Sequence, residues 1–360
     1  MIICLKDENM LDASIIIPTY NSVEQLARAL QSIVDGNFNA QRYEIIVVDN
    51  GSSDNTKNFV DTFIKLNAAH KIRYIYEEVP GLLSARHRGA KESFSDILVF
   101  VDQDICADKN WLSSIVETFN RFPDVHLVGG KCLPRYEKDP PKWLDYFWKH
   151  TSDGGRYMDF LSLCDFGDEE KELHHQAIWG LNYSIRKKTL YECGGFNPDS
   201  VPLFYQYLQG DGESGLSIKI AEKGYKTYYN PKALVFHEVP AERMTLNYFD
   251  NRFFYQGICF SYVKIRSEAQ NRQYSLLKRS RKLAKKIIKK IEHHIFPDAR
   301  NNDLFHKSSE FEKDMLLARF RAMETAGFNF HQEMAKKNPF VMKWILKENY
   351  FDYDLPDMNQ

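Results

Sequence analysis

Four short runs of branched and aromatic residues recur through the first hundred positions: SIIIP at 14–18, YEIIVVD at 43–49, IRYIY at 72–76 and ILVFV at 97–101. This recurrence limits the fold more than any other feature. Their hydrophobicity is nearly continuous, which suits strands covered on both faces rather than strands with one wet side. Helix-like stretches at 23–34, 56–66 and 84–94 lie between them. Strand–helix–strand repetition predicts a doubly wound α/β sheet. Ligands in such sheets bind at the carboxyl ends of the strands.

Those ends are polar. Thr19-Tyr20-Asn21 follows the first run, Asp49-Asn50-Gly51-Ser52-Ser53-Asp54 the second, and Asp102-Gln103-Asp104 the fourth. One such ending is an ordinary turn or helix cap. Three on one sheet edge predict a polar ligand site. In a continuing strand, residues two apart point the same way, so Asp102 and Asp104 are expected to face one ligand. Two carboxylates that close repel, so a positive partner lies between them or one of them is protonated.

Composition narrows the class. The chain has 360 residues, 43% of them hydrophobic, enough for one large domain with an appendage or for two domains. A formal net charge of −1 gives no global attraction to nucleic acid. The six cysteines form no CxxC pair, which predicts reduced core residues rather than a zinc site or disulfide framework. The first twelve residues lack a signal-peptide pattern, and no run is long enough to span a bilayer. The expectation is a cytoplasmic protein, soluble or peripheral on the inner face of the cell membrane.

Blocks of sequence carry a resemblance across about two-thirds of the chain. SIIIPTYN (14–21), IIVVDNGSSDNT (45–56), GLLSARHRGAKES (81–93) and ILVFVDQD (97–104) lead to GLNYSIRKKTLYECGGFN (180–197) and GDGESGLSIKIAEKGYK (210–226). In this order they resemble the inverting glycosyltransferases of family 2. That resemblance implies a GT-A-type doubly wound mixed sheet flanked by helices, with a C-terminal helical extension. The implied domains are 1–240, divided into a nucleotide-binding half at about 12–105 and an acceptor half at 106–240, and a mainly helical region at 241–360.

The resemblance also implies roles. The donor is a nucleotide-diphosphate sugar, with UDP mildly preferred because Asp49 matches a carboxylate that accepts from the base. Pro18, Tyr20 and Asn21 match the loop against base and ribose. Asn50 stands where relatives often carry a second aspartate. Arg86 matches an arginine supporting the loop or the diphosphate. Asp102-Gln103-Asp104 matches the Asp-any-Asp motif, with Asp104 on a divalent cation (Mn2+ or Mg2+) and Asp102 on the ribose or on the metal through water. Oxygen ligands suit those ions. His237 is either a third metal ligand or a structural histidine. Trp179, Gly180 and Asn182 lie where relatives contact donor sugar or acceptor, although core packing explains Trp179 equally well.

An acceptor hydroxyl must lose its proton to a base. Aligning LSIKIAEKGY with the family helix puts Glu213 on the catalytic aspartate and Gly212 on the preceding acid, leaving Asp211 as rival base or helper. The glycine is a departure. It keeps open a donor-binding scaffold without turnover; a nucleotidyltransferase is the other alternative. The expected acceptor is a glycan or lipid-linked hydroxyl in bacterial surface polysaccharide synthesis.

Near the C-terminus, residues 276–295 carry Lys278, Arg279, Arg281, Lys282, Lys285, Lys286, Lys289 and Lys290, with Leu and Ile at helical spacing. Such a basic amphipathic helix binds an anionic membrane surface or packs its apolar face on the enzyme. No nucleic-acid recognition motif accompanies it.

Overall fold

The computed structural model describes residues 11–277, 307–352 and 355. It forms two compact units: one ends at Arg252 and resumes at Lys347, and the other is Phe253–Leu346. The first unit includes the turn Ala241–Met244 after the last strand.

The first unit contains β1 (Ala13–Thr19), β2 (Tyr43–Asp49), β3 (Lys71–Tyr76), β4 (Ile97–Val101), β5 (Ile105–Ala107), β6 (Val125–Gly129), β7 (Cys132–Tyr136), β8 (Lys149–His150), β9 (Arg156–Met158), β10 (Leu163–Asp165), β11 (Lys171–Glu172), β12 (Asn182–Arg186), β13 (Lys226–Tyr229) and β14 (Val235–Val239). Its helices are α1 (Val23–Val34), α2 (Thr56–Leu66), α3 (Leu82–Glu92), α4 (Trp111–Arg121), α5 (Lys187–Glu192) and α6 (Gly212–Glu222). Helix α7 (Leu246–Leu277) leads out of it, and α8 (Lys307–Lys337) and α9 (Pro339–Ile345) belong to the second unit.

The main sheet has the order β11-β13-β6-β12-β4-β1-β2-β3. Strands β1 to β4 are parallel, as the apolar runs predict, and every residue of β1, β2 and β4 is buried. On one face Ile15, Ile17, Ile45, Val47, Val99 and Val101 join a core with Leu26 and Leu30 of α1. The other face carries Ile16 and Val48, against which Gly89 of α3 packs. Strand β12 runs antiparallel to β4, which makes the sheet mixed.

The chain runs from β1 to β2 and β3 on one side, then crosses to β4 on the other. The crevice beyond the ends of β1 and β4 is therefore a topological switch point. A second sheet, β5-β14-β7-β10-β9-β8, begins just past it. Its pairing of His237 with Ile105 brings His237 beside Asp104.

Candidate active site

An open cleft of about 600 Å³ fills the switch point. Pro18, Thr19 and Tyr20 from the end of β1, Asp102-Gln103-Asp104 after β4, and Gly81, Leu82 and Ala85 at the start of α3 line it, together with the Ser200–Phe204 loop and Arg243.

The two aspartates line the same cleft but have different nearest partners. Strand β4 stops at Val101 and residues 103–104 form a turn, so the alternation of a strand no longer holds. Each carboxylate has its own nearest guanidinium, and Arg243 bears on both. Asp102, 35% exposed, lies 3.4 Å from Arg86; Asp104, almost fully buried, lies 2.8 Å from Arg243. His237 Nε2 is 3.4 Å from the same Asp104 oxygen. Burial pushes the Asp104 carboxyl up, and the Arg243 guanidinium beside it pulls it down. Asp104 Oδ1 has no hydrogen-bond partner. Gln103 accepts from the Thr19 hydroxyl and the Tyr20 amide, tying the ends of β1 and β4 together.

Arg86 is buried in α3 between two acids: Asp102 at 3.4 Å and Glu213 at 3.7 Å. Its guanidinium lies over the Phe196 ring, 5.0 Å from the centroid. Gly180 makes this possible, since a Cβ there would meet Arg86 Nη2 at 2.3 Å. The Gly180 amide also donates to Glu213 Oε1 at 3.1 Å. Burial pushes the Glu213 carboxyl above its ordinary value; Arg86 opposes that shift and Asp199 adds to it.

Gly212, the departure from the family pattern, has φ +53, and a Cβ there would sit 2.9 Å from Asp199 Oδ2. A side chain at this position is strained and crowded at once. Asp211 accepts from the Asn197 amide and precedes the first residue of α6. Of the two candidate bases, Glu213 is the one that faces Arg86.

Other expected ligands have structural partners. Asn182 is buried in β12; its amide donates to Ala233 O and accepts from Trp111 Nε1. Trp179 packs against the core. Asp49 is buried and accepts from Ser52 N and the Tyr74 hydroxyl. Asn21, at φ +46, accepts from Ser53 N and links the first two loops. Asn50 donates to Glu77 O and Val79 O and accepts from Gly81 N. An aspartate there has no proton to give those carbonyls, which accounts for the amide.

Sequence reasoning passed over Arg243, Gln103 and Asp199. Arg243 follows His237 by six positions and comes into play only through the turn at Ala241–Met244. Asp199 bears on Glu213 only through the fold. Among the described residues no three His, Cys, Asp or Glu side chains form a preassembled metal cluster. Asp104 and His237 nevertheless offer two donors of the right kind, one with an unused oxygen. A cation that keeps substrate phosphates and water in its shell needs no more from the protein.

Residues 14–173 match the model of glycosyl transferase family 2. The chain is similar to the glucosyl-dolichyl phosphate glucuronosyltransferase of Haloferax volcanii, 24% identical over 69% of this chain and 75% of that one. It is also similar to glycosyltransferase AglE of the same organism, 36% identical over 32% of this chain and 38% of that protein, well under half of its length. Among solved structures it resembles a mannosyltransferase from Pyrobaculum calidifontis in complex with GDP-Man and Mn2+. That match has a TM-score of 0.53 and 16% identity, over 93% of this chain and 83% of the other.

Proposed function

We propose that this chain, a family 2 glycosyltransferase by its match over residues 14–173 and GT-A in fold, is a metal-dependent, inverting enzyme that moves a sugar from a nucleotide-diphosphate donor to a hydroxyl of a lipid-linked glycan. One arrangement carries this reading: Asp102 at the cleft and Glu213 stand on either side of a single buried guanidinium, Arg86.

The donor enters between Pro18-Tyr20 and Asp102-Asp104, with Asp102 meeting the ribose. Glu213 takes the acceptor proton, held in place by the Gly180 amide and by Arg86. Asp104 and His237 would hold Mn2+ or Mg2+, which would supply positive charge against a leaving diphosphate. Uridine is the base that Asp49 favours in the sequence. Both Asp49 oxygens already have partners, so the test below compares uridine with guanosine.

The acceptor class rests on the named Haloferax relative and on the cleft mouth. Tyr20, Leu203 and Phe204 line it and are more than half exposed, an apolar lip suited to a lipid-linked sugar. Attachment to an anionic membrane through 276–295, as part of surface-glycan assembly, belongs to the same proposal. Residues 278–295 of that segment lie outside the described residues. Among the described residues no helix is long and apolar enough to cross a membrane.

The test is release of nucleoside diphosphate from UDP- and GDP-sugars by purified protein with and without Mn2+. Glu213→Gln is expected to lower kcat by about 10²–10⁴-fold. Full turnover in that variant, or in Asp104→Ala, overturns the assignment.

A further inference from the structure

Arg243 stands where the cation of the proposed reaction would sit. We propose that it is a stand-in cation: in the donor-free enzyme it holds Asp104 and His237, and it releases them to the metal only when a nucleoside diphosphate arrives to take up the guanidinium. This rests on the reading of Asp104 and His237 as the metal's protein ligands.

The geometry fixes the donors. His237 Nδ1 lies 2.8 Å from the Leu161 carbonyl, which can only accept, so Nδ1 carries the proton. Nε2 then presents its lone pair, and Arg243 Nη1 donates to it at 3.0 Å. Arg243 Nη2 lies 2.8 Å from Asp104 Oδ2. A carboxylate oxygen and an imidazole lone pair are together a donor set for a divalent ion. Here the imidazole lone pair and Asp104 Oδ2 are spent on a guanidinium, and only Asp104 Oδ1 is left without a partner.

Asp104 Oδ1 is left over, but the single Nε2 lone pair cannot serve a guanidinium and a metal at once, so Arg243 must leave before a metal enters between Asp104 and His237. A guanidinium taken from a buried carboxylate needs a new anion, and a diphosphate offers paired oxygens that match its fork. Arg243 is placed for the exchange. It lines the same cleft as Pro18, Tyr20 and Asp102, its side chain is 29% exposed, and it stands on a short turn rather than in a strand. That turn is anchored by Ala241 N donating to Glu137 Oε2, so the side chain can move without its backbone.

Metal and diphosphate must then bind cooperatively, each strengthening the other by the same factor. Binding of Mn2+ alone is measured by the loss of its free-ion paramagnetic resonance signal, and binding of UDP by calorimetry. Wild type, Arg243→Ala and Arg243→Gln are compared with and without UDP, after correction for the Mn2+–UDP complex in solution. Wild type is expected to bind Mn2+ weakly alone and about tenfold or more tightly with UDP. Both variants are expected to bind Mn2+ tightly alone and to lose most of that enhancement, with circular dichroism unchanged. Folded variants whose Mn2+ affinity without UDP equals that of wild type overturn the stand-in role while leaving the metal reading intact. Absence of Mn2+ binding in every form, with or without UDP, overturns the metal reading and this inference with it.

Discussion

Arg86 shows how one residue organises the site. A buried guanidinium must be paired, yet its contacts to Asp102 and Glu213 are long and its Nε has no partner. What fixes it is shape: Phe196 on one side and the missing side chain of Gly180 on another. Gly180→Ala is therefore expected to destabilise the enzyme by about 1–3 kcal/mol, the usual cost of overpacking, measured by urea denaturation, and to lower kcat more than it raises KM. Glu213 supplies a second prediction, in which the sign matters. Its folded pKa is raised, so above the ordinary carboxylate range the unfolded chain has shed a proton that the folded chain keeps. Stability then falls as pH rises through the folded value. Glu213→Gln should melt higher than wild type at neutral pH, with the gap closing towards pH ~4, while turnover is lost. A variant that melts lower at neutral pH contradicts the burial argument. The family resemblance carried by the sequence blocks named Arg86, Asp102, Asp104, His237 and Glu213. It could not reveal that Asp102 lies nearest Arg86 and Asp104 nearest Arg243, because a turn at 103–104 replaced the expected strand, nor that Asn182 spends its amide on Trp111 and Ala233.

Among the elements, the strands were legible and the tail was not. The runs at β1, β2 and β4 are apolar because both faces are covered, and their boundaries in the fold match the sequence closely. Helix α3 begins at Leu82 rather than Ser84, since Gly81, pinned by Asn50, already turns the chain. The aromatic C-terminal stretch gave no docking place in sequence. In the fold Tyr350 N donates to Gly194 O, and His87 Nδ1 donates to Tyr350 O while its Nε2 accepts from Phe196 N. Phe351 stacks on His87 at 4.2 Å and on Tyr191 at 4.3 Å. Burial pushes His87 down to about 3, so the ring stays neutral and serves as donor and acceptor at once. The tail thereby braces Phe196, the residue under Arg86. Phe351→Ala is expected to cost about 3 kcal/mol and to reduce kcat without removing any group from the cleft. Unchanged kcat in a destabilised variant would mean that the brace supports the fold alone.

At the scale of the whole molecule, the cleft and every group assigned to it lie in the first unit. The second unit has its own logic, visible in Gly257 of α7 and Gly327 of α8. A Cβ on Gly257 would fall 1.9 Å from the Glu324 carbonyl oxygen, and one on Gly327 would fall 1.9 Å from the Phe254 carbonyl oxygen. The two helices meet backbone to backbone, each accommodated by the other's glycine. Ser261 and His331 add a buried polar link between them at 2.7 Å. Composition could not disclose this contact, because a glycine within a helical pattern reads locally as a weak point rather than as a crossing. Backbone cannot yield as a flexible side chain does, so Gly327→Val must push the helices apart. The expected result is an earlier calorimetric transition for Phe253–Leu346, with UDP affinity at the cleft unchanged. If UDP affinity falls in step with the lost stability, the two units share one cooperative transition, and the division of labour between them is wrong.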